Sequence, residues 1–376
     1  MRALQISKFY PPVMGGIESV AWELTEGLNR DGVRTDVLCS NHRPFTTRER
    51  TESGYDVVRS GSWGMFLSTS MAPAMAWQLR TLALGHDVLH VHMPDPMAAL
   101  ALWFAQPKSR VVVHWHSDVV RQRKALRLYE PLQQWLLRRA DAIIATSPPY
   151  AESSMVLRPW RHKVEVIPIG ISDNRSESCS KKAAEIRQRY RGRRIVFSLG
   201  RMTYYKGFEV LIEAAAALPD DCVVLIGGDG DLLGHYKSLV ARRGLAGKVH
   251  LLGHILDHEL ASHFEACDVF CMPSTVRAEA YGVAMLEAMV MGKPIVATDI
   301  AGSGVPWVNI HGTSGFNVPV GEVAPLAAAL TRLLDDEVLR QQLGAAAGRR
   351  YLQEFNATQM TEKVINLYRR LGAVTA

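Results

Sequence analysis

Short β-branched apolar runs alternate with longer stretches in which apolar residues recur at helical spacing, and the alternation continues along most of the chain. The runs predict strands at 3–7, 35–39, 88–92, 111–115, 142–146 and 164–167. A second series follows at 195–199, 223–226, 249–252, 269–272, 295–298 and 315–318. A helix between consecutive strands implies parallel pairing with helices on both faces of each sheet. The predicted class is α/β, with two doubly wound domains. The polar stretch from Ser172 to Arg194 separates the two series, so the boundary is placed near Gly170, giving domains 1–170 and 171–350. Beyond the second series, Tyr351, Phe355, Met360, Val364, Leu367 and Tyr368 are spaced roughly as on a helix. Residues 351–376 are therefore expected to form a C-terminal helix crossing back onto the first domain. Doubly wound domains bind ligands at strand C-termini, so a cleft between the two is the expected binding place.

Composition narrows the picture without changing it. The chain has 376 residues, 48% hydrophobic and 21% charged, as in ordinary globular proteins. Its apolar runs fall short of the ~20 residues of a membrane-spanning helix. The N-terminus reads as a strand and not as the apolar core of a signal peptide. Five dispersed cysteines suit reduced thiols in the cytoplasm, and no second Cys/His pair accompanies Cys267 and Cys271 at zinc spacing. The net charge of +6 is uneven. Arg121, Arg123, Lys124, Arg127, Arg138 and Arg139 crowd one segment interleaved with leucines and Trp135. A basic, aromatic-bearing helix of this kind suits an anionic membrane surface, although an ordinary surface helix reads similarly.

The most informative stretch runs from Arg277 to Pro294. Glu279 and Glu287 stand eight positions apart, with Gly282 between them where a helix is expected to start. Were all eight steps helical, ~1.5 Å each would separate the carboxylates by about 12 Å. That exceeds the ~5–9.5 Å of glycoside-hydrolase pairs. A carboxylate before a helix, free amides at its start (Tyr281, Gly282, Val283) and a second carboxylate further in instead suit a phosphorylated sugar nucleotide. Solvated acids favoured by the helix dipole are the plainer alternative.

Three other motifs follow strands. After the strand ending at Leu199, Arg201 and Lys206 emerge on one loop, a fork and a point charge suited to a diphosphate. After the first strand, Gly15-Gly16 opens a helix, where missing side chains let backbone amides approach a ligand. His116 and Asp118 follow the fourth strand and are expected to face the cleft. Asp229-Gly-Asp231 sits in a glycine-rich turn that explains it without metal.

Together these motifs resemble the retaining glycosyltransferases of GT-B fold, in the large family that includes mannosyltransferases of lipopolysaccharide and O-antigen assembly. The resemblance covers nearly the whole chain and rests on Gly15-Gly16, Gly200-Arg201 with Lys206-Gly207, and Glu279 to Pro294. It implies two Rossmann-like domains, with acceptor binding in the first and nucleotide-sugar binding in the second. It implies that Glu279 contacts the donor sugar, Glu287 the ribose, and Arg201 and Lys206 the diphosphate. Gly16 would close over the donor, and His116 would lie near the transferred sugar. The resemblance further implies catalysis without metal or other cofactor. The favoured donor is GDP-mannose, with GDP-rhamnose or a UDP-sugar as alternatives. The acceptor would be a polyprenyl-diphosphate-linked saccharide at the inner face of the cytoplasmic membrane, with no nucleic-acid partner. An epimerase or hydrolase on the same fold is the competing enzyme class. One departure is visible: where the family often has Gly-Gly and a glutamate, this chain reads Asp299-Ile-Ala-Gly-Ser-Gly-Val-Pro-Trp-Val-Asn309.

Overall fold

The computed structural model describes residues 1–13, 15–67, 69–118 and 123–372. They divide into two compact units, Met1–Ser172 with Asn356–Ala376, and Asp173–Phe355. Both are Rossmann-like.

The first unit carries β1 (Arg2–Ser7), β2 (Arg34–Ser40), β3 (Thr47–Arg50), β4 (Asp56–Ser60), β5 (Met65–Phe66), β6 (Thr69–Ser70), β7 (Val88–Met93), β8 (Arg110–Trp115), β9 (Ala142–Ala145) and β10 (Val164–Val166). Eight of these form one sheet in the order β10-β9-β8-β7-β1-β2-β4-β3, and β5 and β6 pair separately as a hairpin. The sheet is not wholly parallel as the alternation implied. β3 runs antiparallel to β4 at the edge. Its sequence, Thr47-Arg-Glu-Arg50, has no apolar face because the strand borders solvent, and charged side chains suit such an edge.

The second unit holds β11 (Arg194–Leu199), β12 (Cys222–Gly227), β13 (Val249–Gly253), β14 (Val269–Met272), β15 (Ile295–Thr298) and β16 (Gly315–Val318). Their order is β13-β12-β11-β14-β15-β16, all parallel. Counted from β11 this is 3-2-1-4-5-6, the order of dinucleotide-binding sheets. Strand β12 is buried throughout, and residues such as Val196, Val224, Val269 and Val296 pack with helix residues Leu211, Leu239 and Leu330 into one core. Burial on both faces is why these strands read as continuous apolar runs.

The C-terminal segment departs from a single helix. A π-helical turn, Tyr351–Phe355, ends the second unit, and a new helix, Ala357–Arg370, begins in the first. Asn356 caps it by accepting from the Gln359 N–H at 2.9 Å, so the break has its own N-cap. The new helix packs on the helix Gly16–Arg30, where Gly27 leaves room for the Thr361 side chain.

Candidate active site

In the second sheet, β11 and β14 are neighbours, but the chain leaves β11 toward β12 and leaves β14 toward β15 on the other side. The connections at their C-terminal ends therefore lead to opposite sides of the sheet, the switch point at which sheets of this kind bind ligands. The Arg201–Lys206 loop follows β11, and the loop carrying Glu279 follows β14.

The two loops meet through side chains. Lys206 Nζ lies 2.6 Å from Glu279 Oε2, and both side chains are nearly nine-tenths covered. Ser274 Oγ donates to the same carboxylate oxygen at 2.9 Å. Burial alone would push the Lys206 ammonium down, but the adjacent Glu279 carboxylate reverses this and leaves it above its ordinary value. Lys206 is therefore a fixed positive charge. Gly207, next in sequence, has φ +68, and a Cβ there would lie 1.9 Å from the Pro273 carbonyl oxygen. Only glycine allows the two loops to approach so closely.

Arg201 is exposed and forms no ion pair among the described residues. Its loop is anchored by backbone bonds from Gly200 N to Gly227 O (3.1 Å) and from Met202 N to Asp229 O (2.8 Å). Asp229 Oδ1 accepts from the Gly230 N–H of its own turn.

The helix after Glu279 spans Val283–Val290, with Gly282 at its N-cap in the left-handed region, φ 87, and no side chain capping it. Its opening amides lie at the positive end of the helix dipole. Because the helix begins only at Val283, the all-helical separation of Glu279 and Glu287 does not hold. The two carboxylates have different partners: Glu287 accepts from Asn174 Nδ2 at 3.0 Å. The Tyr281 ring is buried against Trp307 and Phe355, so its backbone is what it can offer a ligand.

The sequence reading missed the supports of this segment. Ser303 Oγ donates to the Glu279 carbonyl, Gly304 N to Ala280 O at 2.8 Å, and Arg277 Nε to Gly302 O at 3.0 Å. The divergent 299–309 stretch therefore braces the backbone around Glu279. Ser274 was visible five residues before Glu279, but nothing local marks Ser303 or Asn174.

In the first unit, the helix Gly16–Arg30 starts after the β1 loop with no side-chain cap on Gly15. Among the described residues, no atom beyond its chain neighbours and its own helix turn lies within 4 Å of where a Cβ on Gly16 would stand. His116 follows β8, is 6% exposed, and pairs with His92. Asp118 serves the fold: its carboxylate accepts from Trp115 Nε1 and Ser154 Oγ, both at 2.9 Å. Arg121 lies outside the described residues. Arg123, Lys124 and Arg127 fall on the helix Arg123–Arg139, but their side chains are outside the description. Trp135, on the same helix, is half-buried.

Two Rossmann-like units, one with a lysine–glutamate pair and an uncapped helix start at its switch point, define a glycosyltransferase of GT-B fold. The chain belongs to the family of group 1 and family 4 glycosyltransferases: residues 180–350 match the model "Glycosyl transferases group 1" and residues 14–175 match "Glycosyltransferase Family 4". It is 30% identical to O-antigen chain mannosyltransferase C of Escherichia coli, covering 99% of each chain. It is 33% identical to D-rhamnosyltransferase WbpZ of Pseudomonas aeruginosa, covering 95% of this chain and 93% of that one. Sucrose-phosphate synthase of Thermosynechococcus elongatus shares the fold, with TM-score 0.82, 22% identity and full coverage of both chains.

Proposed function

We propose that this glycosyltransferase moves a hexose, mannose from GDP-mannose, onto a lipid-linked saccharide in O-antigen assembly, with retention of anomeric configuration.

 
The observation that carries this reading is the Lys206–Glu279 pair at the switch point beside the uncapped start of Val283–Val290. The donor and pathway are supported by relatives named as mannosyl- and rhamnosyltransferases, which match nearly end to end. The rhamnosyltransferase relative makes GDP-rhamnose the second reading.

In the proposed reaction, Arg201, Lys206 and the Tyr281–Val283 amides hold the donor diphosphate, and Glu279 faces the sugar while Glu287 takes the ribose. The acceptor hydroxyl attacks from the leaving group's side and gives its proton to a phosphate oxygen. Charge is neutralised by fixed protein groups with no metal required, a form of electrostatic preorganisation.

We also infer peripheral attachment to the inner face of the cytoplasmic membrane. Among the described residues, no helix is long and apolar enough to cross one. In the first unit, Trp63, Phe66 and Trp77 are 79%, 65% and 67% exposed, and no charged residue lies between Arg59 and Arg80. Exposed aromatic residues of this kind suit a headgroup interface, in addition to the basic helix.

The test is to supply GDP-mannose, GDP-rhamnose and UDP-sugars with a polyprenyl-diphosphate saccharide and to determine the anomeric configuration of the product. Mannosyl transfer with retention is expected. Inversion, or donor hydrolysis without a glycoside product, contradicts the reading.

A further inference from the structure

One cluster of buried polar groups in the first unit stays inside the core: His90, His92, His114 and His116 bond to one another, to Tyr368 and to Gln5. Another reaches out to the loop that follows β1. Arg59, on β4, has a side chain only 13% exposed. Its Nη1 donates to the Tyr10 carbonyl at 3.2 Å and its Nη2 to the Pro11 carbonyl at 2.5 Å. Glu49 Oε1, on β3, accepts from Arg59 Nε at 3.2 Å. Pro11 and Pro12 carry no N–H, so their carbonyls are the backbone groups by which this stretch can be held. A guanidinium presents its donors as a rigid fork, and here one fork takes two successive carbonyls.

The Tyr10 side chain holds the same loop a second time. Its ring is buried with Ala21, Val37, Cys39 and Val57, and its hydroxyl meets the Tyr55 hydroxyl at 2.8 Å. Tyr55 donates its one proton to Glu26 Oε1 at 2.6 Å, on the helix Gly16–Arg30, so Tyr10 is the donor to Tyr55. The braced loop stands where sheets of this kind take ligands. The chain leaves β1 toward β2 and leaves β7 toward β8 on the other side, which puts the C-terminal end of β1 at the switch point of the first sheet. Past Val13 the chain enters the helix at Gly16, beside space that no described residue outside its own turn and chain neighbours fills within 4 Å of an added Cβ. A loop fixed from behind and open in front suits a preorganised contact.

We propose that Arg59 is a positioning residue: with Tyr10, Tyr55 and Glu26 it holds the loop after β1, so that the backbone at Gly15–Gly16 meets the substrate in one fixed geometry. The role in turnover rests on the glycosyl-transfer reading; the brace does not.

Hydrogen exchange in the intact protein tests the brace. The Val13 amide bonds to the Tyr10 carbonyl at 3.2 Å. In Arg59→Met it should exchange at least about tenfold faster, while the Leu4 amide in β1 keeps its wild-type rate. Glu49 is half exposed, so this variant leaves no buried charge behind. An unchanged Val13 rate overturns the proposal whatever the substrate. A double-mutant cycle tests the role. Arg59→Met should lower turnover per folded molecule about tenfold, and Arg59→Lys, which keeps a cationic donor, should recover part of the loss. In a Gly16→Ala background the Arg59→Met loss should shrink to less than about threefold, because both changes act on one contact. A full loss in both backgrounds, or a loss that follows only the amount of folded protein, would make Arg59 a structural residue and overturn the proposal. Absence of glycosyl transfer by the wild type would remove the role together with that reading and leave the brace standing.

Discussion

Lys206 and Glu279 are 73 positions apart in the chain, yet their charged ends meet at 2.6 Å where β11 and β14 diverge. Each is the other's main compensation for burial. Lys206→Met leaves the Glu279 carboxylate with Ser274 and no cation. Breaking a buried pair on one side costs about 3–5 kcal/mol. The expected outcome is a clear loss of thermal stability, partly returned when Glu279→Gln is added to the same chain. Turnover should stay low in both variants, because the cation is gone. Calorimetry with single-turnover assays checks this.

Arg201 separates function from stability. It is exposed and without an ion-pair partner among the described residues, so Arg201→Ala should change stability by no more than about 0.5 kcal/mol. A charge-assisted hydrogen bond is worth roughly 1.5–3 kcal/mol. Its loss at the leaving diphosphate should lower turnover about 10–100-fold. Unchanged turnover with unchanged melting would remove Arg201 from the diphosphate site.

Two glycines should respond in opposite ways. Gly16→Ala places a methyl group where, among the described residues, nothing outside its own turn stands within 4 Å, so the fold should tolerate it. A ligand that needs that space should bind more weakly. Gly207→Ala forces a Cβ onto the Pro273 carbonyl at φ +68, and should lower the melting temperature. Melting curves and donor affinity measured on both variants distinguish a ligand-side glycine from a packing one.

The buried histidines set a pH dependence. Burial pushes His114 from 6.5 to about 3. An imidazole lowered in this way binds its proton on unfolding. The stability it contributes is complete above about 6.5 and lost as pH falls toward about 3, at up to ~1.4 kcal/mol per pH unit. Asp95, raised by burial to about 6, works in the opposite direction, so wild type should be compared with His114→Phe. The variant should show a shallower loss of stability below pH 6.5. Parallel curves would contradict the shift.

Much of this fold was legible because buried parallel strands read as apolar runs. All twelve expected strands are present, but four more were not expected: β3 is polar, β5 and β6 have two residues each, and β4 has only the adjacent pair Val57-Val58 as apolar residues, too little to carry a pattern. Gly282 marked the helix start because a left-handed N-cap favours glycine. The braces around Glu279 were not legible. Ser303 and Asn174 act across the fold, and no local pattern encodes such contacts. The histidine network was half visible: His90-x-His92 and His114-x-His116 repeat one spacing on adjacent strands, a signal that singling out His116 overlooked. The break at Asn356 was hidden because residues on both sides keep roughly helical spacing.

The central claim is that the second unit binds a nucleotide diphosphate through Arg201, Lys206 and the amides before Val283, without a metal ion. The most direct measurement is calorimetric titration of GDP into the protein in excess EDTA, repeated with Arg201→Ala and Lys206→Ala. The account predicts that binding persists in chelator and weakens at least about tenfold in each variant. Binding that disappears with EDTA and returns with manganese, or that both variants retain in full, would contradict it.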